Sequence, residues 1–533
     1  MYISCMPVRP KPLFPPSELR SVRALASLVG ANPFLAERIA LEREALGSGA
    51  RPAPDFLSAT GVDEPVSPNV PLLGARAAEL VERGRDRLLR GKGASPQDLL
   101  LYESLVLYRL YDRHSRELAT LVAEGRRGEG ALPVPFARTF LAEGERLRSV
   151  PGLLPWSPAE AAHVLACFFQ IRRAFGLIFQ AIVGASRPAA ELRASVWQSI
   201  FTSDLDRYRA WFWRRSGDLA TLVVGPSGTG KELVARAIAG ARYIPFDVSR
   251  GVFVERFGAA FAGLNLSALT PTLIESELFG HRRGSFTGAT ADRTGWLEAC
   301  RPSGTVFLDE IGELDPLIQV KLLRVLQTRT FERIGDTRPL RFEGKIVAAT
   351  NRQLGREVAE GRFREDLYYR LCSDVVATPP LADQLRDSPG DLRTFVLFAL
   401  RRLVGGGELS GAGAAESLPP LVDRFSGWIE KNLGRGYPWP GNVRELEQCV
   451  ANLLVRGEYR PLRLPAAGSP RELFAREVAA GSLSASELVR GYSTLVYADS
   501  GSWQEAARRL AVDRRTVRAN VDEKLLGDLR KGG

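Results

Sequence analysis

Gly225-Pro-Ser-Gly-Thr-Gly-Lys-Glu232 follows the apolar run Thr221–Val224 and opens a helical pattern. This is the context a P-loop needs. The glycines let successive backbone N–H groups turn inward around phosphate oxygens, the helix N-terminus adds a favourable dipole, and Lys231 brings a cation to the β- and γ-phosphates. Position 232 is glutamate where a general P-loop has the Ser or Thr that ligates Mg²⁺. Either that ligand comes from elsewhere or Thr229 and water replace it.

Outward from this loop, short β-branched runs alternate with helical stretches, the pattern of a parallel α/β sheet. Strands are expected at Thr221–Val224, Gly263–Leu266, Thr305–Leu308, Lys345–Ala349 and Asp374–Ala377. In Gly304-Thr-Val-Phe-Leu-Asp-Glu310 two carboxylates end one strand. With a P-loop upstream, Asp309 is placed to position Mg²⁺ and Glu310 to polarise an attacking water, since in-line phosphoryl transfer depends on placing that water and neutralising charge. Asn351 ends the next strand, where a polar side chain senses a γ-phosphate; alone it would read as a turn residue. Arg364 and Arg370 in Phe363-Arg-Glu-Asp-Leu-Tyr-Tyr-Arg-Leu371 are candidate arginine fingers for a neighbouring subunit, because their apolar neighbours imply a half-buried helix at an interface. Arg444, in Trp439-Pro-Gly-Asn-Val-Arg-Glu-Leu-Glu447, opens a later helix. From there it would report on bound nucleotide.

Ile274-Glu-Ser-Glu-Leu-Phe-Gly-His-Arg-Arg-Gly-Ser-Phe-Thr-Gly-Ala-Thr290 has no obvious core role. Its tip, Gly284, Ser285, Phe286, Thr287, Gly288 and Ala289, sets an apolar ring and a hydroxyl between flexible hinges and suits a mobile probe of a partner.

Together these motifs resemble the bacterial enhancer-binding proteins, AAA+ ATPases that activate sigma-54 RNA polymerase. The resemblance covers roughly residues 195–456. It implies a doubly wound ATPase core, a helical lid and a hexameric ring, sometimes assembled from dimers. It assigns Gly225, Pro226, Ser227, Gly228, Thr229, Gly230, Lys231 and Glu232 to Walker A, Asp309 and Glu310 to Walker B, Asn351 to sensor I, Arg364 and Arg370 to the fingers, and Arg444 to sensor II. Asn265 matches the residue that holds the Walker B glutamate until the ring fires. Walker A in this family also ends in Lys-Glu, so Glu232 is regular. ATP and Mg²⁺ are the implied cofactors. Residues 284–289 correspond to the loop that contacts sigma-54, normally with Ala at its second position; Ser285 departs from that, while Phe286 and Thr287 are intact.

The tail reads as a helix from Ser502, a turn at Ala511-Val-Asp513 and a helix from Arg514 to Val521. It resembles a Fis-type helix-turn-helix, in which Arg514, Arg515, Thr516, Arg518 and Asn520 would meet double-stranded DNA at an upstream site. The net charge of +11 fits a polyanion partner and equally an arginine-rich, GC-rich genome.

At 533 residues the chain calls for three or four domains. The expected division is a mostly helical regulatory region of unknown type at 1–194, the α/β ATPase subdomain at 195–378, the lid at 379–456, a linker at 457–483 and the all-α helix-turn-helix at 484–533. The leucine and tyrosine stripe of Leu99–Val122 reads as helix packing, with a sensory pocket the minority reading. Residues 1–194 lack the acidic cluster and isolated Asp of a phosphoacceptor receiver. Five cysteines without a CxxC pair and three scattered histidines argue against a disulfide framework or structural metal. Val164–Ala185 carries Arg172 and Arg173 mid-stretch behind a Ser157-Pro-Ala-Glu160 cap, so a buried helix is expected rather than a membrane span, and a cytoplasmic location with it. An AAA+ remodeller of another target, with the tail as a packing module, is the alternative function.

Overall fold

Five apolar runs form one parallel sheet: β1 Thr221–Val224, β2 Phe261–Asn265, β3 Thr305–Asp309, β4 Lys345–Thr350 and β5 Val375–Ala377. Their spatial order is β5-β1-β4-β3-β2, and every pairing is parallel. This computed structural model describes residues 12–54, 67–91, 94–258, 261–404, 412–461, 470–479 and 481–531. Cys5, most of the 405–413 glycine-rich loop and residues 462–469 and 480 of the 457–483 linker lie outside them, and the described part of that linker includes a helix, Pro470–Ala479.

Parallel strands need crossovers, so helices cover both faces and the strands read as continuous apolar runs. Side-chain alternation divides them. Leu222, Val306, Leu308, Ile346 and Ala348 face a core completed by Leu278, Leu322 and Leu367. Val223, Phe307, Val347, Ala349 and Val376 face the opposite core. That second core belongs largely to three helices: α1 Pro158–Ala181, α2 Arg187–Phe201 and α3 Lys231–Gly240. Ile178 and Phe179 of α1 and Val196, Trp197 and Phe201 of α2 are buried there with Val234 and Ile238 of α3. Each such side chain contributes about 1.5–3 kcal/mol on burial.

The boundary expected at 194/195 therefore falls inside a continuous helix that closes a sheet face. Further out, Pro16–Gly30, Glu37–Leu46, Val70–Leu89, Pro96–Arg113, Ser115–Gly125 and Ala137–Arg148 are the remaining principal helices before α1. Their core includes Phe246, Phe253 and Phe257 from the ATPase side, and Leu132–Pro133 pairs with Val252–Phe253. α1 starts with the expected capping box: Glu160 N–H donates to Ser157 Oγ at 3.2 Å and Ser157 N–H to Glu160 Oε2 at 2.8 Å. α1 is long and apolar enough to cross a bilayer, but 72% of its most apolar window is buried inside the protein.

The sheet continues into α4 Pro271–Phe279, inserted between β2 and β3, and beyond β5 into α5 Leu381–Asp387, α6 Asp391–Val404, α7 Ala412–Asn432 and α8 Asn442–Arg456. Residues 1–457 form one compact unit and 458–533 a second. The second contains the helices Ala485–Ser500, Trp503–Leu510, Arg514–Asn520 and Glu523–Lys531.

Candidate functional site

The carboxyl ends of the parallel strands gather the candidate nucleotide residues, where the crevice of an open α/β sheet lies. Val224 stands opposite Thr350, so the start of the P-loop adjoins Asn351. Asn265 stands opposite Asp309 on the next pair. Ser227–Glu232, Asn265, Asp309, Glu310 and Arg444 wall a cleft of about 570 Å³. Lys231 Nζ donates to the carbonyls of Gly225 at 2.9 Å and Pro226 at 3.1 Å. Burial lowers its pKa, against the opposing pull of Glu310 and Asp309. Burial and then the Glu310 charge raise that of Asp309. A buried cation and two carboxylates in one cleft suit a polyphosphate with its divalent cation.

Several polar groups are already committed. Thr229 Oγ1 donates to Pro226 O at 2.8 Å and meets Thr378 Oγ1 at 2.7 Å, which turns away the hydroxyl considered above as a stand-in metal ligand. Glu232 accepts from Arg236 Nε at 3.0 Å and Nη2 at 2.7 Å. Asn265 Oδ1 accepts from Ser267 N–H at 3.0 Å and Oγ at 2.7 Å; among the described residues it has no hydrogen bond to Glu310. Glu310 occupies the left-handed region at φ 55°. Its Oε2 accepts from the backbone N–H of Asn351 at 3.4 Å, while the Asn351 side chain is not part of the cleft wall. A non-glycine residue held left-handed marks a geometry fixed by its surroundings.

Two further walls escaped the sequence reading. One is the lid. Val443 N–H donates to Gly228 O at 3.0 Å, Asn442 Nδ2 to Ser227 O at 2.9 Å and Arg444 Nη1 to Ser227 Oγ at 3.2 Å. Asn442 Oδ1 also accepts from Leu381 N–H at 2.9 Å. Gly228 is required here: it has φ +79°, and a Cβ would lie 2.3 Å from Gly441 O. The other wall is the turn Ala181–Val183 after α1, which faces Phe395 and Phe398 of α6 across an apolar slot. Arg193 Nη1 donates to the carbonyls of Ile182 at 3.1 Å and Gly184 at 2.9 Å. Asp391, at the start of α6, accepts from the N–H groups of Ala185 at 2.8 Å and Ser186 at 3.0 Å. Nothing local marks these residues as site residues; the P-loop and lid only meet them in three dimensions.

Arg364 and Arg370 lie outside this cleft. Arg364 pairs with Asp366 at 2.7 Å, and its N–H is anchored on Gln319 Oε1 at 2.9 Å. The exposed Arg370 has no hydrogen-bond or ion-pair partner for its guanidinium among the described residues, while Leu367 and Leu371 are buried beneath.

The 284–289 tip hangs from a two-residue ladder, Gly280–His281 against Arg293–Thr294. Gly284 N–H donates to Ala289 O at 2.8 Å, closing the loop. Gly284 and Gly288, at φ 80° and 101°, make turns that L side chains resist. Thr287 is exposed; Phe286 is half-buried edge-on to His281, ring centroids 4.9 Å apart. Ser285 Oγ is buried without a hydrogen-bond partner.

In the second unit, Val496, Ala506, Ala507 and Val517 form a small core. Ala511, left-handed at φ 54°, makes the turn, and Asp513 caps Arg514–Asn520 by accepting from the N–H groups of Arg515 at 2.8 Å and Thr516 at 2.9 Å. Arg514, Arg515 and Arg518 are exposed, and the Arg518 guanidinium stands 5.4 Å from the Trp503 ring centroid. Thr516 Oγ1 is occupied by the cap, donating to Asp513 Oδ2 at 2.7 Å. Asn520, the helix's last residue, is half-buried.

A P-loop, two carboxylates at the end of β3 and a helical lid folded onto the loop define an AAA+ ATPase core. More particularly, residues 213–376 match the family described as Sigma-54 interaction domain, and the chain carries that ATPase domain. Similar proteins include the transcriptional regulatory protein ZraR of Klebsiella oxytoca, 38% identical over 57% of this chain and 63% of the relative. The Nif-specific regulatory protein of Azotobacter vinelandii is 44% identical over 44% of this chain and 40% of the relative. The DNA-binding transcriptional regulator NtrC of Rhizobium meliloti is 42% identical over 44% and 43%. The chain thus spans about two-fifths to three-fifths of the length of these relatives.

Proposed function

We propose that this chain is a sigma-54-dependent transcriptional activator that hydrolyses ATP to remodel the closed promoter complex while its tail holds upstream DNA. The observation that carries the proposal is one continuous path. Asn265 walls the nucleotide cleft in register with Asp309; the chain then makes one turn at Leu266–Ala268, runs through α4 and enters the Gly280–Thr294 loop without a linker. A change at the γ-phosphate side of the cleft is therefore delivered to Phe286 and Thr287.

In this reading Ser227–Lys231 hold the phosphates, Glu310 polarises the attacking water, Arg444 closes the cleft from the lid, and the apolar slot at Ile182 and Phe395 receives the base. Asp309 would hold Mg²⁺, which when bound neutralises phosphate charge. Arg364 and Arg370, exposed and away from their own cleft, serve the neighbouring subunit of a hexamer. Arg514, Arg515 and Arg518 supply the DNA contacts, and a cytoplasmic location follows from that role. Thr287→Ala decides the matter: it should keep ATP turnover and lose open-complex formation at a sigma-54 promoter, whereas undiminished open complexes would refute the loop's role.

A further inference from the structure

α1 lines two cavities. Ala181 at its end walls the nucleotide cleft, and Phe168, Ile171 and Phe175, two to four turns earlier, wall a second cavity of about 410 Å³. This second volume lies within the range of small-molecule sites, about 300–1,000 Å³. It sits among the N-terminal helices, bounded by Leu28, Leu107, Trp197 and Phe201 besides α1.

Its surface is mostly apolar, and the polar side chains in its wall include Arg38, Tyr108, Asp112, Arg116, Arg172, Asp206 and Arg209. Arg38 pairs with Glu42 through Nη1, but its Nε is buried without a partner. Glu42 is itself occupied by Ser67 Oγ at 2.8 Å and Asn69 Nδ2 at 3.1 Å. Among the described residues neither the Tyr108 hydroxyl nor the Asp112 carboxylate has a hydrogen-bond partner. Burial raises the pKa of both, and Asp112 adds its charge to the effect on Tyr108. A packing void would be lined by apolar groups alone, because each buried polar group left unpaired costs about 1–3 kcal/mol. The Tyr108 hydroxyl and the Asp112 carboxylate, half-buried on the wall of a ligand-sized space, are the donor and the acceptor of a binding site.

We propose that this cavity is an effector site for a small molecule whose apolar, ring-sized body carries one O–H or N–H donor for Asp112 and one acceptor for the Tyr108 hydroxyl, and that α1 passes its occupancy to the ATPase. From Phe175 to Ala181 the helix rises only about 9 Å. Its adjoining stripe, through Ala174 and Ile178, is packed in one core with Val234 and Ile238 of the helix that follows the P-loop. A shift of α1 on filling the cavity therefore moves both the base slot and the phosphate-binding helix.

The test uses the full chain and two probes, 2-naphthol, which has the body, the donor and the acceptor, and naphthalene, which has the body alone. Saturable one-to-one binding of 2-naphthol is expected by calorimetry, at least tenfold tighter than naphthalene, with a change of twofold or more in ATP turnover. Ala119→Trp, which fills the cavity, should abolish both effects while circular dichroism is unchanged. Asp112→Leu, close in volume and without an acceptor, keeps the test alive should the filled variant misfold, and should erase the preference for 2-naphthol. Absence of saturable binding, binding undiminished in folded Ala119→Trp, equal affinity for the two probes, or binding without any effect on turnover would each overturn the proposal. The turnover readout rests on the ATPase assignment and the binding readout does not, so the two failures are distinguishable.

Discussion

Asn442→Ala should undock the lid from the P-loop. Asn442 is buried at the start of α8 and joins three segments: its Nδ2 reaches Ser227 O, its Oδ1 receives Leu381 N–H, and its backbone is left-handed at φ 53°. Removing the amide deletes two hydrogen bonds with a net worth of about 1 kcal/mol each and leaves the Leu381 N–H to find water. Alanine also bears a left-handed cost of about 1–2 kcal/mol that asparagine tolerates better and glycine escapes. The sum, about 3–4 kcal/mol, corresponds to roughly a hundredfold or more in an equilibrium constant if the docked lid is the form that binds nucleotide. Asn442→Gly keeps the backbone and loses only the side-chain bonds, so its deficit should be about tenfold to thirtyfold by the same accounting. Calorimetric titration of the full-length variants with a non-hydrolysable ATP analogue measures both. An alanine variant within threefold of the wild type, or a glycine variant weaker than the alanine one, would refute the reasoning.

Lys345, the first residue of β4, is buried, its Nζ donating to Leu219 O at 2.7 Å, and burial brings its pKa down to about 7. Between that value and the ordinary lysine pKa the unfolded chain binds one more proton than the folded one, so stability rises with pH by about 1.4 kcal/mol per unit across this window. Lys345→Met should remove that slope in urea denaturation at pH 7, 8 and 9; parallel curves for the two proteins would count against it. Ser285→Ala removes a buried hydroxyl that has no partner, so open-complex formation should be undiminished, and a clear loss would show that the hydroxyl is used. Arg370→Ala should bind the ATP analogue as the wild type does while turnover falls about 10³-fold or more, the usual loss for an arginine finger. Mixing it with Glu310→Gln should restore part of the turnover, because each supplies what the other lacks; no restoration on mixing would sink the role in trans.

The five strands were legible because both faces of the sheet are buried, which turns each strand into an unbroken apolar run such as Thr305–Leu308. The register was not, yet it is what sets Asn265 against Asp309. Asn442 lay in plain view within Trp439–Glu447, but its partner Ser227 is 215 residues away, and no local pattern announces a bond of that span. The same holds for Asp391, which caps a turn 206 residues before it. The helix Arg187–Phe201 runs through the boundary expected at 194/195 for a related reason: a change of periodicity marks where strands begin, while the helix covering their face belongs in sequence to the preceding region. Asp112 and Tyr108 fell within a stripe that reads as packing, and most of that stripe does pack, with Leu105, Val106 and Leu110 buried. Only the fold separates those neighbours from the two that face a cavity.

The loop at Phe286 gains its meaning from how stiffly it is held at its base. α4 is nine residues long, a rise of about 13 Å, so a rotation of roughly 10° at its cleft end carries its far end about 2 Å. That displacement would dissipate in a floppy hairpin. Here it cannot at the root: Gly280 and His281 are paired with Thr294 and Arg293, Ile334 N–H donates to Gly280 O at 2.9 Å, and Arg282 is held by Asp292 at 2.6 Å and Asp336 at 2.9 Å. The tip beyond this root turns at Gly284 and Gly288, and Thr287 is exposed between them. In the proposed role such a root would pass a rotation of α4 on to Phe286 and Thr287, whereas a loop hinged at its base would bind a target without pushing it.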